Sequence, residues 1–98
     1  MAKKTYAKNN KSCKVTFQLP PAVGAEEVSV CGDFNDWSPT ANPMTKRKDG
    51  QFSTSVTLPA KQSYRYRFLL DGQRWENDWD AEVYLPNEFG TEDSVIRV

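Results

Sequence analysis

The sequence predicts an all-β fold, an immunoglobulin-like antiparallel β-sandwich of about seven strands. Three observations lead there. Apolar residues recur with a period of two rather than 3.6. Clusters of Gly, Pro, Asn and Asp separate the alternating stretches. No window combines a helical apolar stripe with caps at both ends.

Taken in chain order, residues 1–12 carry Lys3, Lys4, Lys8 and Lys11, no acid and little apolar area. They are expected to form a flexible basic tail ahead of one folded domain, residues 13–98. In the first strand Val15, Phe17 and Leu19 alternate with Lys14, Thr16 and Gln18, and Pro20-Pro21 ends it. Val28 and Val30 resume the pattern after Gly24. Phe52, Val56 and Leu58 follow Asp49-Gly50, and Tyr64, Tyr66, Phe68 and Leu70 share one face before Asp71-Gly72. Both Asp-Gly pairs predict type I′ hairpin turns, whose two central residues need positive φ. Short stretches around Val83–Leu85 and Ser94–Val98 complete the set.

Composition limits what such a domain can do. Ninety-eight residues support one core and no deep cleft. Lys+Arg and Asp+Glu number 13 each, a formal net charge of 0, so neither a nucleic acid nor a membrane surface is an expected partner. Arg65, Arg67 and the tryptophans mimic a base-stacking platform, but no RNA-recognition signature accompanies them. The charge is uneven. After Gln73 two arginines face seven acids, a net −5. Neither a signal peptide nor a membrane span is legible, so a soluble cytoplasmic protein is expected. Cys13 and Cys31 fit that compartment as free thiols, although a hairpin turning at Ala22 and Val23 would set them opposite each other. Histidine is absent, which removes the commonest general base and metal ligand.

Two of the three tryptophans lie beside turn-forming stretches, Trp37 after Gly32-Asp33-Phe34-Asn35-Asp36 and Trp75 after Asp71-Gly72-Gln73-Arg74. Large rings next to Gly, Asn and Asp suit a flat apolar surface held open to solvent, which matches a ligand with apolar faces and hydroxylated edges, such as a sugar. If both loops share one end of the sandwich, the two indoles form one coplanar platform. The competing reading for Trp37 is a core or edge residue closing that end. Phe34 is the expected buried anchor of the motif. Arg67 alternates with Tyr66 and Phe68, so it points outward, where its guanidinium either donates to paired hydroxyls or is simply solvated. Trp79, in Glu76-Asn77-Asp78-Trp79-Asp80, either covers the hairpin end or adds a third ring. The acids around it lack the order of a calcium loop, so no metal site and no cofactor are expected. Loop carboxylates are present, but glycoside hydrolysis needs two of them across a water-excluding cleft, about 5–5.5 or 6.5–9.5 Å apart. Catalysis is not expected.

Four runs carry a resemblance to a known family. They are Val28-Ser29-Val30-Cys31-Gly32-Asp33-Phe34-Asn35-Asp36-Trp37, then Tyr66-Arg67-Phe68-Leu69-Leu70-Asp71-Gly72 with Trp75 behind it, then Pro86-Asn87-Glu88-Phe89-Gly90 and Asp93-Ser94-Val95. Together they resemble carbohydrate-binding module family 48, which includes the glycogen-binding domain of the AMP-activated protein kinase β subunit and the N-terminal early-set domains of isoamylases and branching enzymes. The chain looks like a stand-alone bacterial-type member. The resemblance implies an immunoglobulin-like sandwich and, in members that bind, an α-1,4-linked glucan such as glycogen or starch; a monomer without a catalytic domain is expected. It also implies that Arg67 stands where kinase-type members have lysine, that Phe89 stands where they have a leucine reaching over the sugar, and that Thr91 and Asp93 match positions that hydrogen-bond the glucan. Asp93 departs from the asparagine of the binding pattern: it accepts from hydroxyls but cannot donate, and it adds charge to an acidic end. Phe89 has a core reading as well. The alternative function is an early-set docking domain that packs its aromatic end on a glycogen-metabolising enzyme and binds little or no sugar.

Overall fold

The computed structural model describes residues 2–98, and these form nine strands: β1 (Ala2–Tyr6), β2 (Ser12–Leu19), β3 (Val28–Gly32), β4 (Thr45–Lys46), β5 (Phe52–Pro59), β6 (Ser63–Leu70), β7 (Arg74–Glu76), β8 (Val83–Pro86) and β9 (Glu92–Arg97). Among those residues the only helical segments are two three-residue 3₁₀ turns. One antiparallel sheet runs β1-β2-β5-β4 and the other β3-β6-β9-β8, with β7 on the stretch of β6 that β9 leaves free. The expected sandwich is therefore present. The alternating stretches account for six of its strands, and β1, the two-residue β4 and the three-residue β7 bring the count to nine rather than about seven.

The period-two alternation builds the core. On β2 the residues Cys13, Val15, Phe17 and Leu19 are buried and Lys14 is exposed; the facing sheet supplies Val28, Val30, Tyr66, Phe68, Leu70 and Ile96. Phe17 is central, its ring 4.9 Å from Tyr66, 5.7 Å from Phe34 and 6.3 Å from Phe68. Burying such a ring contributes about 1.5–3 kcal/mol. Phe34, the expected anchor, is half-buried and packs on this cluster. Tyr66 carries a polar tip into the interior, where its hydroxyl donates to Asp78 Oδ2 at 2.7 Å. Burial, followed by the nearby Asp78 carboxylate, pushes its pKa far above the ordinary 10.0.

Several expectations are corrected. Residues 1–12 do not form a tail throughout, because Ala2–Tyr6 pairs with Phe17–Cys13 of β2 in a regular ladder; Met1 lies outside the described residues. Low apolar content argued for disorder there, but an edge strand needs only a backbone ladder, the packing of Ala2 on the core and the Lys4–Glu82 ion pair at 2.7 Å. Cys13 and Cys31 are both buried and free. They do not face each other across a hairpin, since β2 and β3 belong to different sheets. Burial raises the Cys31 thiol pKa.

The two Asp-Gly turns also part ways. Asp71 and Gly72 have φ of 53° and 66°, as a type I′ turn requires, with Gln73 N–H donating to Leu70 at 3.0 Å. Asp71 Oδ1 accepts the N–H groups of Glu26 and Glu27, both at 2.9 Å. Those bonds hold its pKa below the ordinary 3.8, with a smaller contribution from Arg74. At Asp49-Gly50 only the glycine has positive φ, 88°. Arg47 and Gln51 close a three-residue loop there, and Asp49 Oδ1 accepts from Gln51 N–H at 3.0 Å. One extra residue converts the expected type I′ turn into a loop whose single left-handed position falls on glycine.

Candidate functional site

The outer face of the second sheet carries an open groove of about 870 Å³. One wall comes from the turn after β3. Gly32 passes so close to β6 that an added Cβ would collide with the Arg65 carbonyl oxygen and would lie 2.8 Å from the Phe34 ring. Asn35 ties the turn together: its Oδ1 accepts Gly32 N–H at 3.0 Å, and its Nδ2 donates to the Val30 carbonyl at 3.0 Å and to Asn42 at 2.8 Å. Asp36 and Trp37 then adopt φ of 55° and 57°, the left-handed region. For a residue as bulky as tryptophan that conformation stores roughly 1–3 kcal/mol of strain, which the surrounding bonds must hold.

Asp33 fixes the ring. Its Oδ2 accepts the Arg65 backbone N–H at 2.9 Å and its Oδ1 accepts the Trp37 indole N–H at 3.1 Å, so one carboxylate links the indole to β6. Trp75 arrives from the other side on β7, opposite Leu69. The two indoles stand 6.3 Å apart at 64° to each other. They are neighbours on the outer face of the second sheet rather than at a tip of the sandwich, and they are not coplanar. Trp37 is half-buried, between the two readings given for it, and Trp75 is 44% exposed.

The floor comes from β6 and β9. Arg65 and Arg67 alternate with the core tyrosine and phenylalanine, and both line the groove. The Arg67 Nε is buried with no hydrogen-bond partner. Arg65 Nη1 reaches the Pro86 carbonyl at 3.1 Å and Asp93 Oδ2 at 3.3 Å. Asp93 is buried and its other oxygen accepts from Asn87 Nδ2 at 3.0 Å. The charge expected to load this end is thus paired within the chain. Asn87 Oδ1 in turn accepts the N–H groups of Phe89 at 2.9 Å and Thr91 at 3.2 Å, which shapes the turn that carries Phe89. That ring is 82% exposed at the groove rim, so the core reading is excluded.

The groove therefore brings Trp37, Trp75, Arg67, Phe89, Thr91 and Asp93 together. Trp79 stays outside it. It is 55% exposed rather than covering the hairpin end, with its indole N–H 3.3 Å from Glu76. Sequence reasoning missed three organisers. Arg65 was available from its two-residue spacing to Arg67, and Asn87 from the Pro-Asn-Glu-Phe-Gly turn. The bridging role of Asp33 depends on a contact with a strand 32 residues away, which no local pattern reveals. Chemically the site offers two inclined apolar faces, an exposed ring and the Arg67 guanidinium in the lining. It suits an uncharged, hydroxyl-rich ligand with apolar faces.

Comparison with known proteins agrees with that chemistry. The family described as "Carbohydrate-binding module 48 (Isoamylase N-terminal domain)" matches residues 5–88. The chain is 35% identical over 92 residues to the 5'-AMP-activated protein kinase subunit beta-2 of Rattus norvegicus and to that of Homo sapiens, covering 89% of this chain and 32% of each relative. It is 33% identical over 66 residues to the 1,4-alpha-glucan branching enzyme GlgB of Aquifex aeolicus (strain VF5), covering 66% of this chain and 10% of that protein. The chain spans about a third of the kinase subunits it matches.

Proposed function

The chain belongs to the carbohydrate-binding module 48 family, a family of non-catalytic binding modules, and from that premise we propose that its groove binds an α-1,4-linked glucan such as glycogen, starch or a maltooligosaccharide. The 98 residues contain no catalytic domain. The observation that carries the reading is the Trp37–Trp75 pair, 6.3 Å apart and inclined at 64°. A β-1,4 glucan is flat and asks for coplanar rings, whereas an α-1,4 glucan curves and turns successive sugars through an angle. Inclined indoles follow the curved chain.

Trp37 and Trp75 stack on the apolar faces of neighbouring sugars, and Phe89 closes over them from the rim. Arg67 donates to sugar hydroxyls. The Thr91 hydroxyl and the Asp93 carboxylate line the floor beneath. Covering about 80–100 Å² on each indole contributes roughly 2–2.5 kcal/mol before ordering costs. Two such rings supply about 4–5 kcal/mol, a Kd of about 0.2–1 mM. Affinity electrophoresis in glycogen-containing gel, paired with calorimetry against maltoheptaose and cellohexaose, tests this. Retarded migration with heat from the maltooligosaccharide alone is expected; binding of neither, or of both equally, rejects the α-glucan reading.

The second reading is docking on a glycogen-metabolising enzyme, favoured by the 82% exposed Phe89 and by relatives three to ten times longer than the matched segment. It predicts no sugar response at either indole.

A further inference from the structure

The ring of Phe89 stands at the groove rim on a turn that the sheet itself holds poorly. β8 is an edge strand, and the ladder between β6 and β9 stops at Tyr66–Ser94. The pairs Leu85–Asp93 and Pro86–Glu92 of the β8–β9 hairpin therefore project past β6, with the Asn87–Thr91 turn beyond them. A two-stranded ribbon alone is only marginally stable in water. The tip needs a tether if its ring is to keep one place.

Asn77 Nδ2 donates to the Glu92 carbonyl at 2.8 Å, which holds β9 alone. Arg65 holds both strands. It leaves β6 opposite Val95, and its Nη1 crosses β9 to donate to the Pro86 carbonyl of β8 at 3.1 Å and to Asp93 Oδ2 at 3.3 Å. Asp93 lies two residues from Val95 on the same face of β9, the diagonal position that a long side chain spans. Its side chain is 9% exposed, and its Oδ1 accepts from Asn87 Nδ2 at 3.0 Å. Asn87 shapes the turn under Phe89, so the turn is bound into the same chain of contacts. The Arg65 backbone serves the opposite wall, since its N–H donates to Asp33 Oδ2 while Asp33 Oδ1 accepts the Trp37 indole N–H.

We infer that Arg65 is a positioning residue that fixes the Phe89 rim against the indole wall, with Asp93 as its strut rather than as a sugar contact. Each Asp93 oxygen already has a partner within the chain. Asparagine at that position would need no counter-charge; the aspartate does, and Arg65 supplies it. Because the carboxylate is buried, the pair differs from the exposed ion pairs that contribute little. Without the guanidinium, Asp93 is drawn toward water and takes the hairpin with it. The service to a sugar rests on the glucan reading; the tether does not.

NMR relaxation of the free ¹⁵N-labelled protein reads the tether without sugar. Wild type should give backbone order parameters of about 0.85 at Phe89 and Gly90, and Arg65→Met should bring them below about 0.6. Methionine keeps an aliphatic stem opposite Val95, and the Arg65 N–H bond to Asp33 survives, so the Trp37 indole signal should stay in place. Arg65→Lys, which keeps the charge on a single donor group, should fall between. In maltoheptaose titrations Arg65→Met should raise Kd about two- to twelvefold through the cost of ordering the rim. Phe89→Ala should raise it about five- to twelvefold, as covering roughly 40–60 Å² of ring implies. The double variant should bind no worse than Phe89→Ala alone. Costs that multiply would make Arg65 a sugar contact, and a cost of Asp93→Asn that persists in the Phe89→Ala background would make Asp93 one. A turn as rigid in Arg65→Met as in wild type, or mobile in both, overturns the tether. If even wild type binds no maltoheptaose, the glucan reading fails and the relaxation data alone decide the tether.

Discussion

Replacing Asp33 with alanine isolates the step that orients the Trp37 ring. The carboxylate makes two bonds, to the indole N–H at 3.1 Å and to the Arg65 backbone N–H at 2.9 Å, and it lies at the surface where water can replace it. Loss of those bonds should cost folding stability about 0.5–1.5 kcal/mol. The larger effect is on binding. A ring that is held in the free protein must instead be ordered by the ligand, at about 0.5–1.5 kcal/mol for one immobilised side chain. That converts to a rise in Kd for maltoheptaose of about two- to twelvefold. Asp33→Asn keeps one acceptor oxygen and should fall between wild type and alanine. Calorimetry gives the affinity, and the ¹⁵N-indole signal of Trp37 reports the released N–H directly. An alanine variant whose indole signal moves while its affinity stays at the wild-type value would refute the claim that Asp33 preorganises the ring.

Gly32→Ala forces a methyl into the Arg65 carbonyl oxygen and the Phe34 ring; a loss of about 2–3 kcal/mol in urea unfolding is expected, and a neutral result would place the turn elsewhere. Trp75→Ala removes one stacking face and should weaken maltoheptaose binding about 30- to 60-fold without changing the thermal midpoint. Stability should also fall at both pH extremes. Tyr66 has a folded pKa raised above 10.0, so its contribution is complete below pH 10.0 and is lost as pH rises beyond it. Asp71 has a folded pKa below 3.8, so its contribution is present above that pH and is lost as pH falls through the folded value. In urea titrations across pH, Tyr66→Phe should flatten the alkaline limb and Asp71→Asn the acid limb.

The strands and their faces were readable because side-chain alternation is a local property: Val15, Phe17 and Leu19 are buried wherever that strand is placed. β1 was not readable, since Ala2–Tyr6 earns its place through a backbone ladder with β2 and an ion pair to Glu82, neither visible in composition. The same limit applied at the site. The turn motifs brought Trp37 and Trp75 together, yet the angle between them follows from the left-handed backbone of Trp37 and from the bond between its indole and Asp33. Arg67 was placed correctly by its two-residue spacing, while its unpartnered Nε emerged only with packing. Asp93 read as an added charge because its neutralising neighbour, Arg65, is 28 residues away.

The most direct measurement is an NMR titration of ¹⁵N-labelled protein with maltoheptaose and β-cyclodextrin, following the indole N–H signals. Saturable shifts at Trp37 and Trp75 with one common Kd, and none at Trp79, are what an inclined two-ring glucan site produces. If saturating ligand leaves the first two signals in place, or moves Trp79 instead, the groove is not the sugar site.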